Sequence, residues 1–162
     1  MGFSRETYAR LNPHEQVRSS LLEDVAIARL VKCRGERVLI GDATDVAAVE
    51  MYGSVGEALD GFSKNAVAIC GGTLRTVVYA VLTALVYLLP LALGIAGSPV
   101  AWVHVGVSMA LYGVSVWVLR LPLWYGVCSP VAAALAVGVM LRSVSWYRAG
   151  RITWKGRAYR HP

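Results

Sequence analysis

Residues 76–119 read TVVYAVLTALVYLLPLALGIAGSPVAWVHVGVSMALYGVSVWVL and contain no Asp, Glu, Lys or Arg. After Arg120, a second uncharged stretch follows at residues 121–141, LPLWYGVCSPVAAALAVGVML. A helix needs about 20 apolar residues to cross the hydrocarbon of a bilayer. Residues 77–97, 100–119 and 121–141 each reach that length. The pattern therefore predicts a transmembrane α-helical bundle of two to three hydrophobic helices.

The acidic residues of this 162-residue chain all precede these stretches. Residues 1–60 carry ten acidic and seven basic side chains, whereas residues 61–162 carry nine basic and no acidic ones. Cations beside apolar spans mark the cytosolic side and contact anionic lipid, so the basic excess indicates membrane orientation rather than nucleic-acid binding. We expect an integral protein of the cell membrane with a cytosolic soluble part, membrane lipid as a partner, and no nucleic acid.

Three regions follow from this pattern: a soluble part at residues 1–65, membrane helices at residues 66–141, and a basic tail at residues 142–162. Within the soluble part, Ser20 with Glu23 and Ser54 with Glu57 each have the spacing of a helix capping box. Residues 37–42 (RVLIGD) predict a short strand. The helix after Ser54 places apolar side chains on one face, which is typical of a helix lying in the membrane interface.

The number of crossings conflicts with the position of the basic tail. Three crossings from a cytosolic start leave the tail outside, yet its six cations indicate the cytosolic side. Pro122 and Pro130 lie in the first half of the third stretch, and each removes a backbone donor and disfavours a continuous helix. We therefore predict that the third segment is re-entrant or broken, so that the number of crossings is even.

The acidic pair Glu23 and Asp24 opens a predicted helix in the soluble part. Acids are common in a first helical turn because they interact favourably with the helix dipole, so a structural role is one interpretation. A catalytic role is the other. Lys64 also has two interpretations, as a cation at the membrane interface or as a substrate-binding residue. His14 is either a structural histidine in a turn or a substrate contact.

Six short sequence elements occur in a fixed order along the chain. They are residues 3–8 (FSRETY), 14–18 (HEQVR), 22–29 (LEDVAIAR), 51–54 (MYGS), 61–65 (GFSKN) and 153–159 (TWKGRAY). With hydrophobic spans between the last two elements, the set resembles the second half of family 2 glycosyltransferases. Within that family it looks like the membrane-bound branch associated with hopanoid and carotenoid glycosylation. The resemblance covers almost the whole chain.

The resemblance implies an inverting GT-A enzyme that moves a sugar from a nucleotide-sugar donor to a lipid-like acceptor. Asp24 matches the family's general base, with Glu23 beside it. The fold class implied is an α+β remnant of a GT-A domain before the membrane helices, and a divalent metal (Mg²⁺ or Mn²⁺) is implied for the complete enzyme. The implied substrate-binding residues are His14, Arg18, Lys64, Asn65, Trp154, Lys155 and Arg157.

Two departures bear on activity. The family's Asp-x-Asp metal motif is missing, since Asp42 and Asp45 have the wrong spacing, and Asn12-Pro13 stands where relatives tend to have Gly-Gly. We therefore expect no metal site in this chain and no activity without a separate donor-binding half. The alternative function is a non-catalytic membrane anchor or partner-stabilising subunit. In that case Trp154, Lys155 and Arg157 belong to a lipid-facing tail.

Overall fold

The computed structural model describes residues 2–18, 20–41 and 45–150, and beyond them only the backbone of two short strands. A π-helical segment (Ala84–Leu88) joins α5 to α6, and a 3₁₀ segment (Leu123–Cys128) precedes α8. Strands β1 (Thr153–Trp154) and β2 (Arg157–Ala158) pair antiparallel. The helices are α1 (Arg5–Leu11), α2 (Pro13–Gln16), α3 (Glu23–Cys33), α4 (Val55–Cys70), α5 (Thr73–Thr83), α6 (Leu89–Ile95), α7 (Pro99–Val118) and α8 (Ser129–Arg148).

The first three helices pack around a small apolar core. Leu11, Ile27 and Val31 are buried there, and Phe3 and Val17 pack against them. The strand predicted at residues 37–42 is wrong over its described part, because residues 37–41 have no regular secondary structure. A strand needs a neighbour for its backbone groups, and the described residues before α4 contain no strand. The α+β class predicted for the soluble part is therefore not what this part of the structure shows.

The two predicted capping boxes have different outcomes. At Ser54 the cap is confirmed, because its side chain accepts from the Glu57 N–H at 3.1 Å. Glu57 Oε2 reaches back as a box residue does, but it accepts from the Gly53 N–H, one residue before the cap, at 2.9 Å. At Ser20 it is wrong, because α3 begins at Glu23 itself and the preceding Leu22 makes no side-chain cap. Glu23 therefore occupies the first helical position instead of the third, from which a box residue reaches back.

Three helical stretches are long and apolar enough to cross a membrane: Thr73–Ile95, Pro99–Val118 and Leu123–Arg148. The first stretch contains the π-helical segment near its middle, and Pro90, just after that segment, interrupts the regular helical hydrogen bonding. Pro90 has no N–H, so the Val86 carbonyl four residues earlier loses its helical donor. His104 of α7 lies 2.9 Å from this carbonyl through Nε2, and since a carbonyl only accepts, His104 is the donor. This is the interhelical hydrogen bond expected of a polar side chain within an apolar span.

Helix α7 runs antiparallel to the first stretch. Near its start the Trp102 ring covers Gly94, where an added Cβ would lie 3.0 Å from the ring, and His104 meets Val86. Helices rise about 1.5 Å per residue, so Val118 lies roughly 21 Å beyond His104. The C-terminal end of α7 is therefore level with the N-terminal end of α5. Helix α4 lies at this same end of the bundle.

The third stretch turns back on itself, and we refer to residues 121–148 as the returning segment. Gly126 of its 3₁₀ part packs on α7, where a Cβ would lie 3.2 Å from the Gly113 Cα. In α8, Ser143 Oγ accepts from the Val67 N–H of α4 at 3.1 Å. Helix α8 also contacts α5 and the π-helical segment.

These contacts fix the direction of α8. Its C-terminal end lies beside α4, and only five of its residues follow Ser143. The contact with the π-helical segment must therefore come from its N-terminal half. Both ends of the returning segment thus lie at the α4 end of the bundle. The stretch predicted to be re-entrant or broken has 3₁₀ geometry up to Cys128 and is α-helical from Ser129, and whether it crosses the bilayer stays a prediction.

Candidate functional site

A cleft of about 620 Å³ opens between the N-terminal residues, α3 and the extended segment after it. Asp24 lies in the first turn of α3, lines this cleft and is exposed. Thr7 lines the same cleft, as do the apolar residues Val38, Leu39 and Ile40, of which Leu39 and Ile40 are almost fully exposed. The cleft therefore combines a carboxylate that can accept a proton with apolar residues that can contact the apolar part of a ligand.

Two further charged residues line this cleft. Arg37 provides a cation within the same lining as Asp24, and Glu36 provides a second carboxylate. Glu36 is engaged in an ion pair with Arg10 of α1, which ties the segment after α3 to the first helix. Asp24 has no such ion pair among the described residues. The carboxylate that the structure leaves available in this cleft is therefore the one that sequence analysis singled out.

The other acid and the histidine lie elsewhere. Glu23, adjacent to Asp24 in α3, is exposed but does not line the cleft. His14 belongs to an aromatic cluster with Phe3 and Tyr8, and its Nδ1 lies 3.1 Å from the Tyr8 hydroxyl. These contacts hold the corner between α1 and α2, so they favour the structural interpretation of His14. Arg18, just after α2, is exposed and also lies outside the cleft lining.

Lys64 and Asn65 belong to a different group of helices. They lie on α4, which packs against α8 and α5, whereas α3 packs against α2. Asn65 Oδ1 is buried without a hydrogen-bond partner in the described part of the chain. Its side chain is therefore turned into the helix packing rather than toward the Asp24 cleft. Lys64 is half-buried on the same helix.

The tail residues divide between described and undescribed positions. Trp154 and Arg157 are partners in the β1–β2 register, and the backbone of β1 contacts α4. The chain after α8 thus returns to the helix that carries Lys64 and Asn65. Lys155 lies outside the described residues.

Sequence analysis missed Thr7, Glu36 and Arg37 as cleft residues. Thr7 lies within the element at residues 3–8 but was not singled out there, and Glu36 and Arg37 lie in none of the quoted elements and line the cleft together with the segment that follows α3. Within residues 2–18, 20–41 and 45–150, no group of three or more His, Cys, Asp or Glu side chains is placed to hold a metal ion.

Comparisons of the chain with protein-family models, with curated proteins and with solved structures gave no match.

Proposed function

We propose that this chain is the membrane-bound part of an inverting glycosyltransferase, with Asp24 as the general base that activates the hydroxyl of a lipid-like acceptor. The observation that carries the proposal is the position of Asp24, exposed in the first turn of α3 within a cleft that Val38, Leu39 and Ile40 also line. The ordered sequence elements that resemble family 2 enzymes support it independently. The parent fold would be a GT-A domain, to which residues 1–65 contribute acceptor-side helices.

The proposed reaction needs one carboxylate base. The acceptor oxygen attacks the anomeric carbon of the nucleotide sugar as its proton passes to the Asp24 carboxylate. The new carbon–oxygen bond forms on the face opposite the leaving group, and the nucleoside diphosphate departs with the electrons of the bond that breaks. Val38, Leu39 and Ile40 would hold the apolar part of the acceptor, and Arg37 would supply positive charge beside the phosphates.

The other candidate residues lie away from the Asp24 cleft, so their proposed roles differ from that of Asp24. Donor binding would require a separate donor-binding half, because the described residues offer no metal site. Lys64, Asn65, Trp154, Lys155 and Arg157 would then form a second group around α4, facing that half or the bilayer rather than the Asp24 cleft. His14 would support the fold of the soluble part through the α1–α2 corner, and Arg18, which lies outside the cleft lining, would have no role at the Asp24 carboxylate.

The test compares two neighbouring acids. Membranes containing the chain together with a donor-binding half would be given radiolabelled nucleotide sugars, and label in the lipid extract would be measured. We expect Asp24→Asn to lower turnover by about 100- to 10,000-fold, since general bases contribute that much, with donor affinity little changed. Glu23→Gln is the matched control, because Glu23 adjoins Asp24 but does not line the cleft, and it should retain near-normal turnover. Equal turnover of Asp24→Asn and wild type would contradict the proposal.

A second candidate, a non-catalytic membrane anchor or partner-stabilising subunit, is favoured by one specific observation. Asn65 Oδ1 is buried in the helix packing and His14 is packed in the aromatic corner, so two candidate site residues have structural surroundings. In the same experiment an anchor would support transferase activity of its partner equally well in the wild-type and Asp24→Asn forms. Co-purification of a partner with both forms, at equal activity, would identify this second function.

A further inference from the structure

The loop that precedes α4 exposes an unusual amount of apolar surface. Within residues 45–51, Val46 is 85%, Val49 82% and Met51 72% exposed. Apolar side chains scattered singly on a surface need no explanation, but three in one short loop form a patch of the kind that marks an interaction site. The loop has no helix or strand that would direct these side chains inward.

One ion pair fixes where this loop lies. Asp45 accepts from Nη1 of Arg120, at 3.1 Å to Oδ1 and 3.4 Å to Oδ2. Arg120 follows directly after α7 and adopts a left-handed backbone with φ 56°, in the turn that begins the returning segment. The ion pair therefore holds the loop beside the C-terminal end of α7, a helix long enough to cross a membrane.

Aromatic residues beside Arg120 indicate the height of the bilayer surface. Trp124 and Tyr125 are exposed and their rings stack with centroids 4.0 Å apart. Exposed Trp and Tyr at span ends sit at the level of the lipid headgroups. The loop held by Arg120 lies at the same end of the bundle as these rings.

On its other side the loop continues into the exposed apolar face of α4. Val55 is 76% and Phe62 56% exposed, and the Tyr52 ring packs against Phe62 at 5.7 Å between centroids. Apolar surface thus extends from α7 through the loop to α4. We propose that residues 45–51 insert into the boundary between headgroups and acyl chains as an interfacial membrane anchor.

The charges of the loop specify the kind of lipid surface. Residues 45–51 contain Asp45 and Glu50 and no Lys or Arg, and Asp45 is engaged by Arg120. Attraction to anionic headgroups requires local cations, so here apolar burial must drive insertion. The anchor should therefore insert into a bilayer of zwitterionic lipid, without any anionic component.

Spin labels on the full chain test this inference. Val46→Cys and Val49→Cys would be made with Cys33, Cys70 and Cys128 replaced, labelled, and reconstituted in phosphatidylcholine vesicles. Collision rates would be measured with oxygen, which concentrates in the acyl region, and with a water-soluble nickel chelate. Arg29→Cys on α3 is the control, since Arg29 is exposed on the soluble part.

We expect the oxygen-to-nickel collision ratio to be several-fold higher at residues 46 and 49 than at residue 29, with no further rise when anionic lipid is added. A ratio equal to that at residue 29 would place the loop in water and overturn the inference. Protection from both reagents would mean that protein covers the loop, either a partner or a second copy, and would overturn it as well. Circular dichroism of each labelled variant, compared with that of the unlabelled chain, would identify a misfolded chain.

Discussion

At the scale of single residues, Pro90 and His104 form one unit although they lie on different helices. Pro90 removes the donor that the Val86 carbonyl would have in a regular helix, and His104 Nε2 replaces it at 2.9 Å. A backbone carbonyl left unpaired in hydrocarbon is costly. An interhelical hydrogen bond is what the apolar surroundings of this histidine predict, but its acceptor atom was not predictable, because it depends on how α7 packs against the bent first stretch.

A double-mutant cycle tests this pairing. We expect His104→Ala to destabilise the bundle by about 0.6 kcal/mol and at most about 1.7, the range found for hydrogen bonds between membrane helices. In a Pro90→Ala background the backbone donor returns to Val86, so the cost of His104→Ala should shrink toward zero. Unfolding in detergent micelles, followed by circular dichroism, measures both free energies. Equal costs in the two backgrounds would show that Pro90 and His104 act independently.

At the scale of elements, the returning segment depends on close backbone contact with α7. Gly126 is buried, and its Cα faces the backbone at Gly113 and the Met109 carbonyl. Small residues permit such approaches between membrane helices. A side chain at residue 126 would force the 3₁₀ segment away from α7 and disturb the turn that sends α8 back toward α4.

Two glycines of the returning segment provide a matched pair of substitutions. Gly126→Leu should destabilise the protein by about 1–3 kcal/mol, as overpacking in a filled contact does. Gly138→Leu on α8 should be nearly neutral, because an added Cβ there meets no atom within 4 Å. Thermal unfolding of the two variants in the same detergent measures the difference. Equal melting temperatures would argue against the packing of the 3₁₀ segment on α7.

Elements that depend on residues close together in the sequence were predictable, whereas elements that depend on contacts between distant parts of the chain were not. The cap at Ser54 and the three apolar stretches depend on neighbouring residues or on composition, and the structure contains them. Residues 37–41 have the apolar pattern of a strand, but a strand also needs a partner that pattern cannot supply. The cap at Ser20 failed because α3 starts later than its sequence suggests. Asp24 was identifiable as a candidate, whereas its cleft arises from residues 36–41, whose position no local pattern encodes.

At the scale of the whole molecule, two ion pairs show that Arg120 and Arg142 lie at the same end of the helical bundle. Arg120 pairs with Asp45 at 3.1 Å, and Arg142 pairs with Asp60 at 2.6 Å while lying over the Trp146 ring. Both pairs are exposed, so each contributes little stability, and they serve here as markers of position. The opposite end, around residues 95–100, has no charged residue.

This arrangement resolves the conflict between three apolar stretches and a basic tail. If the first two stretches cross the bilayer and the returning segment enters and leaves on one side, then α4, Arg120 and Arg148 share a face. The bias of Lys and Arg toward the cytosol predicts that this face is the cytosolic one. The soluble part with its Asp24 cleft would then lie on the side where nucleotide sugars are present. We propose that the chain crosses the bilayer an even number of times.

Labelling of two single cysteines from outside intact cells tests this claim most directly. Ser98→Cys, between α6 and α7, and Ala149→Cys, just after α8, would be made with Cys33, Cys70 and Cys128 replaced, and treated with an impermeant thiol reagent. We expect residue 98 to be labelled in intact cells and residue 149 to be labelled only after the membrane is permeabilised. Labelling of residue 149 in intact cells would show that the third segment crosses completely and that the number of crossings is odd.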